Sequence, residues 1–232
     1  IDLDLFPHLE GVLDLIYNPA RTQLLLDAQK RGIVYENGLW MLIAQAKESA
    51  EWFSGNKIND DKIPEVYQQL RRQMENVILI GMPGCGKSAV GKQLALVTGK
   101  TFLDADEAIS QDAGMTIPEI FAQEGEAGFR QRETKILRQL GMGSGLVIAT
   151  GGGCVTRDEN YPLLHQNGHI YWLQRDLSSL PTDGRPLSQA GNLEQMYRIR
   201  QPLYAAFADE TICNYGSLDN AVQSILKLEE IL

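Results

Sequence analysis

Apolar positions are spaced differently in two stretches of the 232-residue chain. In the first, the short apolar run VLDLI at 12–16 predicts a buried strand. Asn18 as a cap and Pro19 at the first helical position then predict a helix that ends before Gly32. Leu39, Leu42, Ile43, Ala46, Ala50 and Phe53 recur at helical spacing, which predicts a second helix capped by Asn37 and stopped by Gly55. A polar, turn-rich connection over 55–64 leads into a third, amphipathic helix at 63–74, and a domain boundary is placed near Glu75.

Beyond that point the pattern changes. Short apolar runs at 77–80 (VILI), 102–104 (FLD), 146–150 (LVIAT), 169–173 (HIYWL) and 211–214 (TICN) alternate with longer helical patterns. Strands joined by helical crossovers predict an α/β fold with a five-stranded parallel sheet covered on both faces. Ligands of such sheets gather beyond the C-terminal strand ends, and each motif below falls at one of those ends.

Charge and cysteine usage narrow the functional classes. A net charge of −9 disfavours a nucleic-acid-binding surface, which needs excess lysine and arginine to displace counterions. Cys85, Cys154 and Cys213 form no CxxC pair, so neither a disulfide framework nor a zinc site is expected, and the pattern fits a reducing cytoplasm. No apolar run approaches the roughly 18 residues needed to span a bilayer, so no membrane partner is expected. The chain begins with Ile1, which raises the expectation that it is cut from something longer.

Directly after VILI comes GMPGCGKS at 81–88, a match to GxxxxGK[ST] with a strand before it and a helical pattern after it. Gly81, Gly84 and Gly86 let backbone N–H groups turn inward around phosphate oxygens, where a Cβ would obstruct the approach. Lys87 supplies a point charge between β- and γ-phosphates, Ser88 offers a hydroxyl to Mg²⁺, and the helix N-terminus adds its dipole. Cys85 lies inside the loop and Ala89 follows it; both are counted in the nucleotide-binding stretch, though the Cys85 side chain need not point at the nucleotide. ATP with Mg²⁺ is the expected ligand.

A phosphate loop does not identify what receives the phosphate. In FLDAD, Asp104 and Asp106 are two apart, so on an extended segment both would point to one side, the one serving a metal and the other the acceptor hydroxyl. In isolation the favoured reading is turn aspartates that start the next helix, and the neighbouring motifs reduce its weight. Gly151, Gly152 and Gly153 follow LVIAT, where missing side chains leave room for a substrate and expose N–H donors. The segment 178–192 has the composition of a mobile lid.

Taken in order, the loop, FxDxD, IFxxxGExxFRxxE, the strand ending in GGG, GRPL and RxPLY make residues 76–232 resemble shikimate kinase. The resemblance implies a three-layer P-loop kinase fold, ATP as donor and shikimate as acceptor. It implies that Asp104 belongs to the magnesium shell, and that Asp106 holds and deprotonates the hydroxyl under attack. Arg130 and Arg200 would then grip the substrate carboxylate, a task suited to guanidinium forks, and Arg185 would be the lid arginine that swings onto the phosphates. Arg132 is read as a solvated helix arginine. The chain departs from the family in having Ser178 where a nucleotide-contacting arginine is usual and Ala89 where a second hydroxyl is usual. Competing functions are another small-molecule P-loop kinase, of gluconate or nucleoside monophosphate type, and a nucleotide-binding regulator without turnover.

Residues 1–75 carry DLIYNPARTQLL and ENGLWMLIAQA, which resemble the C-terminal end of shikimate dehydrogenase. There Tyr17 and Gln45 match positions beside the substrate, and Gly38 and Met41 match positions near the nicotinamide. The dinucleotide fingerprint and the upstream active-site residues are missing, so this stretch is expected to lack redox activity. It is expected to pack on dehydrogenase residues upstream, within a bifunctional chain of aromatic amino-acid biosynthesis.

Overall fold

A computed structural model describes residues 1–180 and 190–231. The chain divides into two compact units, Ile1–Glu75 and Asn76–Leu232.

In the N-terminal unit, strands β1 (Gly11–Leu13) and β2 (Val34–Glu36) pair in parallel, flanked by helices α1 (Gln23–Lys30), α2 (Leu39–Ser54) and α3 (Lys62–Met74). The strand read over 12–16 is shorter than expected, and only Val12 of β1 is buried. Its continuation is diverted at Asp14, whose carboxylate accepts from the Ile16 N–H at 3.0 Å and the Thr22 hydroxyl at 2.5 Å. Helix α1 starts at Gln23, after Thr22, and not at Pro19. The intervening segment is tied across the unit, with Asn37 Nδ2 donating to the Ala20 carbonyl at 2.9 Å, so that carbonyl is satisfied without helix. Asn37 also caps α2, accepting from the Leu39 N–H at 3.0 Å, and Gly55 ends that helix at φ 71°. Gly38 lies so close to the Leu15 backbone that a Cβ would sit 1.9 Å from its carbonyl oxygen. Tyr17 and Met41 are exposed.

The C-terminal unit is a five-stranded parallel sheet in the order β4-β5-β3-β6-β7. The strands are β3 (Asn76–Ile80), β4 (Thr101–Asp104), β5 (Leu146–Ala149), β6 (Gly168–Gln174) and β7 (Glu210–Cys213). Between them run α4 (Lys87–Thr98), α5 (Ala105–Ala113), α6 (Ile117–Gly141), α7 (Asn160–His165) and α8 (Ala190–Phe207), and α9 (Leu218–Ile231) closes the unit. The runs rich in β-branched residues became the central strands because they are buried on both faces: every residue of β3 is buried, with Ile78 opposite Ile148 on one side and Ile170 on the other. Asn76 sets the start of this register. Its amide donates to the Gly143 carbonyl and accepts from the Leu146 N–H, both at 2.8 Å, so a buried polar side chain leaves nothing unpaired. Since β3 is central and the sheet is parallel, the loop after it has the ends of β5 and β4 on one side and of β6 and β7 on the other.

Helix α6 opens with a capping box, Thr116 with Glu119, and breaks at Gly125 (φ 69°). Eight residues of straight helix would span about 12 Å. The break folds Glu124 back on Arg132, which donates to its two carboxylate oxygens at 2.8 and 2.7 Å. Arg132 is therefore one half of a forked ion pair and not a solvated helix arginine.

Candidate active site

The loop at 81–88 owes its shape to glycines that must be glycines. Gly81 and Gly86 have φ of 140° and 104°, and a Cβ on them would lie 2.6 Å from the Leu173 carbonyl and 2.8 Å from Asn214 Nδ2. Lys87, buried at the start of α4, donates to the carbonyls of Gly81 at 2.9 Å and Met82 at 3.0 Å. The Cys85 side chain is fully buried beneath the loop, while its carbonyl accepts from Asn214 Nδ2 at 2.8 Å. Asn214, the last residue of the TICN run, thus braces the loop from the end of β7; only contact across the sheet reveals that role.

Asp104 and Asp106 do not share one extended segment; they begin the next helix, the reading the sequence favours for them in isolation. Asp104 ends β4 and caps α5, accepting from the Asp106 N–H at 3.0 Å, and Asp106 belongs to the first helical turn. Aspartate satisfies free N–H groups there and complements the helix dipole. The other Asp104 oxygen accepts from the Ser88 hydroxyl at 2.7 Å, so a hydroxyl and a carboxylate meet beside the loop. Such oxygen donors fit a hard divalent cation that keeps several waters and phosphate oxygens as further ligands.

Arg130 and Glu133, one turn apart on α6, form a buried pair at 2.7 Å, and Glu126 approaches Arg130 at 3.4 Å. Glu133 is 0% exposed, and its Oε1, like Arg130 Nε, has no hydrogen-bond partner among the described residues. Burial pushes the Glu133 carboxyl above the usual range; Arg130 opposes the shift and Asp106 adds to it. Burial works against the Arg130 charge too, yet Glu133 and Glu126 hold its pKa above the ordinary value. Beneath them the Cys154 thiol is driven up to about 12 by burial and stays neutral.

The three glycines after β5 make room for the protein's own side chains. A Cβ on Gly153 would sit 2.2 Å from the Arg130 guanidinium; on Gly152 it would meet the Pro83 ring at 2.6 Å; and on Gly151 it would lie 2.8 Å from both Asp106 Oδ1 and Glu133 Oε1. The Gly152 carbonyl serves as an acceptor, taking hydrogen bonds from Arg200 Nη1 at 3.1 Å and the Tyr204 hydroxyl at 2.5 Å. Glu133 and Tyr204 were not picked out as site residues from the sequence. The i, i+3 spacing of FRxxE and the tyrosine closing RxPLY were the available signals.

These groups converge on one cavity of about 770 Å³. Gly84, Gly86, Lys87, Ser88 and Ala89 form its loop wall, Asp104 and Asp106 a second, and Arg130, Glu133 and Arg200 a third, with Gly151, Gly152 and Gly153 at its base. Phe121, Phe129 and Met196 supply apolar surface. Arg185 lies outside the described residues.

A phosphate-cradling loop on the central strand of a parallel sheet, opening on a cavity with two carboxylates and two arginines, defines a P-loop phosphotransferase for a small molecule. The comparisons with known proteins make the family specific. The family model described as shikimate kinase matches residues 83–229, and the chain belongs to that family. It is 41% identical over 165 residues to the shikimate kinase of Acinetobacter baumannii (strain AYE), covering 67% of this chain and 92% of that protein. Against the shikimate kinase of Symbiobacterium thermophilum the identity is 39% over 168 residues, covering 67% of this chain and 97% of the relative. Among solved structures, the Acinetobacter baumannii shikimate kinase in complex with shikimate superposes with a TM-score of 0.63 at 39% identity, over 69% of this chain and 96% of that one. Shikimate kinase from Aquifex aeolicus gives 0.60 at 28% identity, over 67% and 96%. The protein is a shikimate kinase, with ATP as phosphoryl donor.

Proposed function

We propose that residues 76–232 transfer the γ-phosphoryl group of ATP in line to the 3-hydroxyl of shikimate, with no covalent enzyme intermediate, to give shikimate 3-phosphate and ADP. The observation that carries this reading is that Arg130 and Arg200 open on the same cavity as Lys87 and Asp106. Two guanidinium groups hold a ring carboxylate by paired hydrogen bonds and so orient the ring. The hydroxyl then lies beside Asp106, which accepts its proton as the new P–O bond forms and the bond to the ADP oxygen breaks. Lys87, now folded on loop carbonyls, would turn to the β- and γ-phosphates, and Arg185 would join them on closure of the 178–192 segment. Ser88 and Asp104 would hold magnesium, which when bound neutralises phosphate charge. Gly81, Gly84, Cys85, Gly86 and Ala89 would offer backbone N–H groups to the nucleotide. Catalysis rests on positioning and charge stabilisation.

The sequence resemblance of residues 1–75 supports reading them as the end of a dehydrogenase-like domain in a bifunctional, cytoplasmic chain of aromatic amino-acid biosynthesis. An ADP-release assay across shikimate, quinate, gluconate and nucleoside monophosphates tests the kinase reading. Turnover with shikimate in large excess over the others is the expected result; turnover with gluconate or a nucleotide instead would remove it.

A further inference from the structure

Helix α6 is two limbs that meet at Gly125, and both line the acceptor side of the cavity: Ile117, Pro118 and Phe121 from the first, Phe129 and Arg130 from the second. Gly125, at φ 69° and ψ −175°, permits the angle between them without fixing it, because glycine has other conformations of similar energy. One contact across the break is apolar. Phe121 stacks on Phe129 with ring centroids 4.7 Å apart, and the Arg130 guanidinium carbon lies 5.2 Å from the centroid of that same Phe129 ring. Apolar burial draws the limbs together but has no direction of its own. Another contact is directional: Arg132 donates from Nε and Nη2 to the two carboxylate oxygens of Glu124 at 2.8 and 2.7 Å, a fork that sets distance and orientation at once. Gly128 clears the way for it, since a Cβ there would lie 2.4 Å from Glu124 Cβ. Neither Glu124 nor Arg132 lines the cavity.

We propose that Glu124 and Arg132 are positioning residues for the acceptor: their fork fixes the angle between the limbs, and with it the gap between the Phe121 wall and the Arg130 guanidinium in which the ring is held. The inference rests on the acceptor reading of this cavity. It gives an ion pair outside the cavity a share in affinity for the ring, and none in nucleotide binding or transfer, whose groups Lys87, Ser88, Asp104 and Asp106 stand on other elements.

Steady-state kinetics on the whole chain, with shikimate and ATP varied in turn, test this. Arg132→Gln and Glu124→Gln should each raise KM for shikimate about three- to tenfold, with kcat and KM for ATP within about twofold of the parent values. One substitution removes a positive charge and the other a negative one, so a long-range field acting on a carboxylated substrate would move the two KM values in opposite directions. The double variant should be no worse than either single one, because both single changes break the same fork. Lys135→Gln removes a nearby cation that pairs with Asp112 on α5, and should leave KM for shikimate unchanged. Gly128→Ala favours helix while crowding Glu124, and should raise KM for shikimate in the same range with helix content preserved in circular dichroism. It decides the matter should a fork variant fail to fold. An unchanged KM for shikimate in either fork variant, additive losses in the double one, an equal rise in KM for ATP, or an equal rise in Lys135→Gln overturns the proposal and leaves the acceptor assignment standing. Absence of shikimate-dependent ADP release from the parent chain overturns the acceptor reading itself.

Discussion

The two units solve the same packing problem with very different success. In the C-terminal unit a five-stranded parallel sheet is covered on both faces, and one continuous core joins Ile78, Ile148, Ile170 and Leu173 to Val90, Tyr204 and Ile225. In the N-terminal unit the parallel sheet has two strands and the cluster beneath it is Leu3, Val12, Leu25 and Ala28. Leu13 (81% exposed), Trp52 (88%) and Phe53 (92%) stay in solvent there. A parallel pair needs cover on both faces, and a fragment of this size rarely buries enough to supply it. The lesson is that a complete sheet can place buried charge in a site, as Arg130 with Glu133 shows, whereas the short one has its buried carboxylates in anchoring roles, Glu51 with Lys47, Lys57 and the Ile58 N–H and Glu75 with Arg21 and Arg71.

Experiments that confine chemistry to one unit press this contrast hardest. Asp106→Asn should lower turnover about 10²–10⁴-fold while nucleotide affinity survives, as read by steady-state kinetics beside nucleotide titration. Near-normal turnover in that variant removes the proton acceptor. Arg130→Ala should raise KM for shikimate on the order of a hundredfold, since it also leaves Glu133 buried without its partner, while KM for ATP stays close to the parent value. An equal rise in both constants would point to general damage instead of a lost clamp.

Stability experiments sharpen the contrast further. Ile148→Ala, at the centre of the large sheet, should cost about 2–5 kcal/mol in urea unfolding. Trp52→Ser, at an 88% exposed side chain, should shift stability in urea unfolding by no more than about 0.5 kcal/mol and leave kinase turnover unchanged. The smallest effect concerns acid. Asp209 is partly buried, which alone would raise its pKa, but contact with His165, the Ile170 N–H at 2.8 Å and His169 together hold it below the ordinary 3.8. A lowered folded value means a contribution present above the unfolded pKa and lost as pH falls through the folded one. Wild type should therefore lose urea resistance below about pH 4 more steeply than Asp209→Asn does; parallel curves would show that this aspartate is not the group responsible.

Much of the C-terminal unit could be read directly from the chain. Its strands are short apolar runs with glycine and aspartate at their ends, and the observed bounds differ from those runs by a residue or so. Helix ends with a dedicated stop, such as Gly55, and caps such as Asn37 were equally plain. The N-terminal strand and first helix were misplaced because Asp14, Thr22 and Asn37 bond across the unit, and local propensity carries no trace of such long-range partners.

For the site, residue types and their order along the chain specified the phosphate loop, the two aspartates and the two arginines, because each is demanded by the charge or backbone freedom of what it meets. Folding alone decided their relations: that Arg130 is already paired with Glu133, that Gly153 clears space for a guanidinium, and that Asn214 braces the loop from another strand. Sequence encodes what each position is able to bond, but which partner it reaches depends on parallel strands bringing distant residues to one edge, and that is a property of the assembled sheet.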